Sequence, residues 1–206
     1  MTELAPGIHL IDQNFENEDF SGIDLSDMTL ERCSFTRCNF RGSVMTGLKA
    51  KRCSFTECTF RYARLPESVF EGCALPGCRF DNANLMWAVL KDCKGIGSTF
   101  SGAEVGGLEL TGGNYTLASF MHCDMRKLTL KDAKLEQVDF RDCNLKQCSF
   151  PGCDLNHAMF GGANLTEASF RGAKLEGIDF RHVNMKKTKI DLEQAILIAE
   201  CYGAVL

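Results

Sequence analysis

Apolar side chains recur along this chain every fifth residue. Leu, Phe or Met falls on residue numbers divisible by five, and a small residue, mostly Cys or Ala, stands two positions before it. The pattern is plain in CSFTR-CNFRG (33–42), CSFTE-CTFRY (53–62), CDLNH-AMFGG (153–162) and ANLTE-ASFRG (163–172). From Phe15 to Ile190 it runs unbroken through 36 positions, and only Ala50 and Gly95 lack a larger apolar side chain. All fifteen phenylalanines fall on these positions. A helix repeats about every 3.6 residues and a strand about every 2, so this period fits neither. Two inward residues followed by three outward ones predict a short extended segment and a corner in each step. Gly22, Gly42, Gly102 and Gly162 occupy the last position of their steps, where a turn is expected.

A second period sets the number of sides. Every twentieth residue gives Phe20, Phe40, Phe60, Phe80, Phe100, Phe120, Phe140, Phe160 and Phe180, an unbroken aromatic column. The column from Leu25 to Met185 contains no aromatic residue. Residues twenty apart are therefore stacked neighbours, and four steps make one square coil. The expected fold is an all-β, right-handed quadrilateral parallel β-helix, its hand following the rule for parallel crossovers. Residues 13–190 give about nine coils at the ladder spacing of roughly 4.8 Å, a rod about 43 Å long. Leu108, Leu128, Ile178 and Val183 are large residues in the small position and should bulge the wall. Gly95 marks the weakest step.

The ends depart from the repeat. Residues 1–12 are expected to cap the first coil through Pro6, Ile8, Leu10 and Ile11. Residues 191–206, DLEQAILIAECYGAVL, predict a helix with Asp191 as cap and Gln194 completing a capping box. Leu192, Ala195, Ile196, Ala199 and Cys201 form an apolar stripe expected to cover the final coil, with Ile198 off it. Gly203 ends the helix. The apolar tail predicts a twofold dimer through the C-terminal ends, with Leu192, Ile196, Ala199, Tyr202, Val205 and Leu206 at the seam and a rod of roughly 90–100 Å, a purely intramolecular cap being the alternative.

Composition narrows the function. Hydrophobic residues make up 45% and charged residues 24%, a folded rather than disordered balance. No apolar run is long enough to span a membrane, and the acidic start Met1-Thr2-Glu3 resembles no signal peptide, so a cytoplasmic location is expected. The net charge of -4 is banded: residues 1–31 hold eight acids and no base, and residues 32–94 hold eleven bases and five acids. Direct nucleic-acid binding by general electrostatic capture is not expected. Eleven of twelve cysteines (Cys33, Cys38, Cys53, Cys58, Cys73, Cys78, Cys93, Cys123, Cys143, Cys148 and Cys153) take the small position, reading as buried core residues rather than metal ligands. No cofactor is implied. His122 and Asp142 lie one coil apart without a nucleophile or third partner, so no enzyme is expected.

Acids recur in twenty-residue columns. Asp24, Glu104 and Asp124 share one column, Glu136 and Glu176 a second, Asp139 and Asp179 a third, and these seven are the candidate partner-binding residues. Bases do likewise: Arg41, Arg61, Arg141 and Arg181 share a column, and so do Arg126, Lys146 and Lys186, suited either to phosphate or to solvent. Met86 and Trp87 should point outward, making Trp87 a contact candidate.

The step A(D/N)LXX, seen in ANLTE (163–167), ANLMW (83–87) and CDLNH (153–157), resembles the pentapeptide-repeat family. Length and tail resemble its quinolone-resistance (Qnr) and mycobacterial fluoroquinolone-resistance members. That resemblance implies the quadrilateral β-helix, a homodimer through the C-terminal ends, and a DNA-like surface. It further implies binding to DNA gyrase or topoisomerase IV, protecting it from quinolones or related poisons. Qnr proteins of Gram-negative bacteria carry loops that break the register. This chain has none between Phe15 and Ile190 and looks like the loopless mycobacterial type. The alternative reading is a non-catalytic scaffold for another protein partner.

Overall fold

One backbone conformation recurs at every corner. Each residue whose number ends in 2 or 7, from Gly7 to Gly177, has φ between 51° and 76°. Side chains disfavour this region by about 1–2 kcal/mol, and glycine does not. Glycines collect there for that reason, yet Tyr62, Trp87 and Leu117 adopt it too, held by ladder bonds on either side.

The computed structural model describes residues 4–205. In chain order its strands are β1 (His9–Ile11), β2 (Asn14–Glu16), β3 (Thr29–Glu31), β4 (Ser34–Thr36), β5 (Lys49–Lys51), β6 (Ser54–Thr56), β7 (Val69–Glu71), β8 (Val89–Lys91), β9 (Glu109–Thr111) and β10 (Leu130–Lys131), followed by α1 (Leu192–Cys201). All pairing is parallel, with residues twenty apart in register: Leu10 on Leu30, Leu30 on Ala50, Ala50 on Phe70. One wall has the order β1-β3-β5-β7-β8-β9-β10, and a second has β2-β4-β6. Single paired positions such as Asp19 on Asn39 and Asp24 on Val44 hold the other walls. The chain is an all-β parallel solenoid of four sides with one C-terminal helix. The ladder takes in His9–Ile11, within the segment expected to cap the first coil.

The thiols have a role beyond size. At many corners the small residue's N–H bonds the carbonyl three back, as Ala63 does to Phe60 at 3.0 Å and Ala83 to Phe80 at 2.9 Å. The corners after β3 to β8 lack that bond among the described residues, and each is followed by a cysteine: Cys33, Cys38, Cys53, Cys58, Cys73 and Cys93. Cys58, Cys73 and Cys93 instead donate S–H to the carbonyls of Phe35, Ala50 and Phe70, each at 3.3 Å. Burial pushes the Cys123 thiol up to about 12 and that of Cys153 up to about 11.

Down the interior, Phe60, Phe80, Phe100 and Phe120 stack with centroids 4.6, 4.8 and 4.7 Å apart. Phe15, Phe35 and Phe55 make a second stack at 4.9 Å, meeting the first edge-on at Phe35–Phe40. Gly95 is no void: the Tyr115 ring fills its place, and a Cβ at Gly95 would lie 2.8 Å from that ring. Where large residues take the small position the wall gives. The pairing skips Glu104–Asp124, beside Leu108 and Leu128, and Met159–Asp179, beside Ile178. The aromatic stack opens to 6.3 Å at Phe160–Phe180.

The capping box at the start of α1 is present, with the Asp191 N–H bonding Gln194 Oε1 at 2.9 Å. The helix, however, is turned from the expected orientation. Leu192 is 81% exposed and Ile196 faces outward. Gln194, Leu197 and Ile198 meet the last coil in their place, alongside Cys201, which packs there as expected. The cause is polar. The end of the coil presents the carbonyls of Phe170 and Ala173, and Gln194 Nε2 donates to both at 2.7 Å. Apolar cover would have left the Ala173 carbonyl unsatisfied, since only that of Phe170 has a second donor, the Ala173 N–H.

Candidate functional site

The candidate acids project from the walls and corners that the repeat creates, and most are separated or neutralised. Asp24 is followed down its column by Val44, Arg64 and Asn84 before Glu104 is reached. Asn156 separates Glu136 from Glu176, and Met159 separates Asp139 from Asp179. Asp124 is bound by Arg126 at 2.7 Å, Asp139 by Arg141 at 2.7 Å and Asp179 by Arg181 at 2.7 Å. In all three the arginine stands two residues on, and its Nε joins the same carboxylate. Sequence reading by twenty-residue columns could not find this, because the pairing runs along the chain, as Asp-x-Arg. Burial of Asp139 opposes ionisation, but the Arg141 hydrogen bonds outweigh it and hold the carboxyl below its usual range. The Asp179 carboxyl is depressed chiefly by Arg181.

Asp24 is held below its usual value by the Ser26 hydroxyl and N–H, with bonds of 2.6 and 3.0 Å. Glu104, Glu136 and Glu176 have no basic partner within 4.0 Å among the described residues. The surface is therefore mixed rather than one acidic stripe. The skipped rung at Glu104–Asp124 opens a notch of about 620 Å³ lined by Met86, Glu104, His122, Asp124, Arg126 and Lys127. Trp87, at its margin, is 64% exposed. His122 and Asp142 approach to 3.9 Å in open solvent.

The C-terminal end presents apolar surface. Leu192, Ile196, Tyr202 and Val205 are exposed, with Val205 at 95%, and Ala199 is half-buried. Tyr202 is anchored by its hydroxyl, which donates to the Phe180 carbonyl at 3.1 Å. Leu206 lies outside the described residues. Among the described residues no group of three or more His, Cys, Asp or Glu converges as a metal site, and no helix is long and apolar enough to cross a membrane.

A filled four-sided solenoid that repeats every five residues defines the class, a repeat protein that presents walls, edges and ends. The chain belongs to the pentapeptide-repeat family: models of "Pentapeptide repeats (8 copies)" match within residues 10–92 and of "Pentapeptide repeat region" residues 114–194. Among solved structures it is similar to QnrB1, a plasmid-mediated fluoroquinolone resistance protein. The trypsin-treated form of one variant gives 22% identity and a TM-score of 0.63, covering 96% of this chain and 98% of that one. Full-length QnrB1 gives 22% identity and 0.61, covering 95% and 100%. No curated protein sequence matches the chain.

Proposed function

We propose that this protein is a non-catalytic binding rod that dimerises through its C-terminal ends and engages a bacterial type II topoisomerase, reducing quinolone-stabilised DNA cleavage. The observation that carries the reading is the outward apolar face of α1. Leu192 and Ile196, freed by Gln194 from covering the coil, are exposed at the same end as Tyr202 and Val205. A twofold pairing of that end buries them and doubles the rod. Likeness in fold to a fluoroquinolone resistance protein supports the choice of target. Of the candidate acids, Glu104, Glu136 and Glu176 have neither a basic partner nor a serine clamp among the described residues and are available to it. Increasing protein in a cleavage reaction of purified gyrase, DNA and a quinolone should lower the yield of linear DNA. Unchanged cleavage together with no binding to gyrase removes the topoisomerase reading. Ile196→Glu should shift the protein to monomer in light scattering.

A second reading, a scaffold for another protein, is favoured by the Asp-x-Arg pairs, which leave a mixed surface. Recovery of one reproducible partner other than a topoisomerase decides for it.

A further inference from the structure

Arg41 and Arg61 stand in the same corner column as Arg141 and Arg181, but their surroundings differ in one respect. Where Asp139 and Asp179 close the later guanidinium groups, the equivalent residues here are Asn39 and Thr59. Asn39 still accepts the Arg41 backbone N–H at 3.0 Å, so the corner keeps its shape and loses only the charge. Among the described residues no carboxylate lies within 4.0 Å of Arg41 or Arg64. Arg61 and Arg79 share the single carboxylate of Asp81, at 3.7 and 3.4 Å. Arg61 Nε is buried without a hydrogen-bond partner.

Tyr62 arranges the open groups. Its ring centroid lies 4.8 Å from Arg41 Cζ and 5.6 Å from Arg61 Cζ. A guanidinium held by a ring keeps its planar edge of donors free for an oxyanion. Asp19 and Asp24, one coil towards the N-terminus on the flanking columns, are already engaged by Asn39 and by Ser26. Those neutral partners leave both charges in place, but among the described residues only the largely buried carboxylate of Asp81 lies within 4.0 Å of the four guanidinium groups on this edge.

We propose that this edge binds the phosphodiester backbone of nucleic acid. Planar guanidinium forks match pairs of phosphate oxygens. A row of forks along a straight rod suits a ligand whose charges repeat, whereas a compact anion engages one fork. The net charge of -4 argues against general capture, and the inference is confined to this edge. It does not rest on the topoisomerase reading, and its test contains no topoisomerase.

Fluorescence anisotropy of the full-length protein with a labelled oligonucleotide, single-stranded and duplex, tests it. Binding is expected in the micromolar range at low salt and should weaken as salt rises. Arg41→Gln with Arg61→Gln should weaken binding roughly tenfold or more. The same double variant should lower the salt slope for single strands by about 1.4, two contacts' worth. Tyr62→Leu should weaken binding severalfold, whereas Arg141→Gln, at a closed pair, should change it less than about twofold. Circular dichroism of the variants checks the fold. No binding at low salt, an unaffected double variant, or displacement by polyglutamate as effective as by inorganic polyphosphate overturns the proposal.

Discussion

Leu117 occupies a corner at φ 61° with its side chain 57% exposed, so its backbone strain is not offset by burial. Leu117→Gly should therefore stabilise the protein by about 0.5–1 kcal/mol, less than the full strain because glycine loosens the unfolded chain. Thermal unfolding should show a rise of roughly 2 °C. Asp139 makes a different prediction. Its carboxyl titrates below the ordinary value in the folded protein, through Arg141, and near about 3.9 when unfolded. A depressed pKa stabilises fully above the unfolded value, and that contribution is lost as pH falls through the folded one. Asp139→Asn should cost about 1–3 kcal/mol at neutral pH. Urea unfolding should show the gap from the parent protein narrowing below about pH 4. The small position of most steps was legible in the sequence because size selects it, with Leu108, Leu128, Ile178 and Val183 standing out as exceptions. The S–H bonds of Cys58 and Cys73 were not, because they answer a corner geometry that periodicity does not report.

At the scale of elements, α1 shows where a hydrophobic pattern misleads. Asp191 and Gln194 announced the helix start, since a capping box depends only on local spacing. The buried face did not follow from the pattern, because Leu192 was weighed by hydrophobicity and Gln194 by its cap. The last coil ends in two carbonyls, and a single amide reaches both. Gln194→Leu keeps the volume and removes both donors, leaving the Ala173 carbonyl unpaired and the Phe170 carbonyl with only the Ala173 N–H at 2.9 Å. The expected cost is about 2–4 kcal/mol, enough to release α1 from the rod. Hydrogen exchange should then be fast over Leu192–Cys201 and unchanged around Phe100. Equal protection in the variant would mean that Leu197, Ile198, Cys201 and the Tyr202 hydroxyl dock the helix without Gln194.

Over the whole molecule, stability accumulates coil by coil, because each coil touches only its neighbours. The period of twenty made this legible: one phenylalanine column fixes sides, register and length together. The charged surface was less so. Whether Asp124, Asp139 and Asp179 face a partner depends on arginines folding back along the chain, not on where the columns run. The coil-by-coil account also says that position along the rod, not residue type, decides how a core defect spreads. Phe100 lies 4.8 and 4.7 Å from its stacked neighbours, with ordered coils on both sides. Phe180 lies 6.3 Å from Phe160, beside a skipped rung and next to the end. Truncating a buried phenylalanine to alanine costs about 3–5 kcal/mol. At Phe100 that cost falls on two well-packed interfaces, and fraying would have to discard half the rod to avoid it. Phe100→Ala should therefore lower the main unfolding transition of the entire chain. At Phe180 the chain can instead give up its last coil and α1. Phe180→Ala should leave that transition nearly in place while amide protection is lost beyond about Phe160. If both variants lower the main transition equally, the rod unfolds as one indivisible unit, and the neighbour-by-neighbour account of its stability is wrong.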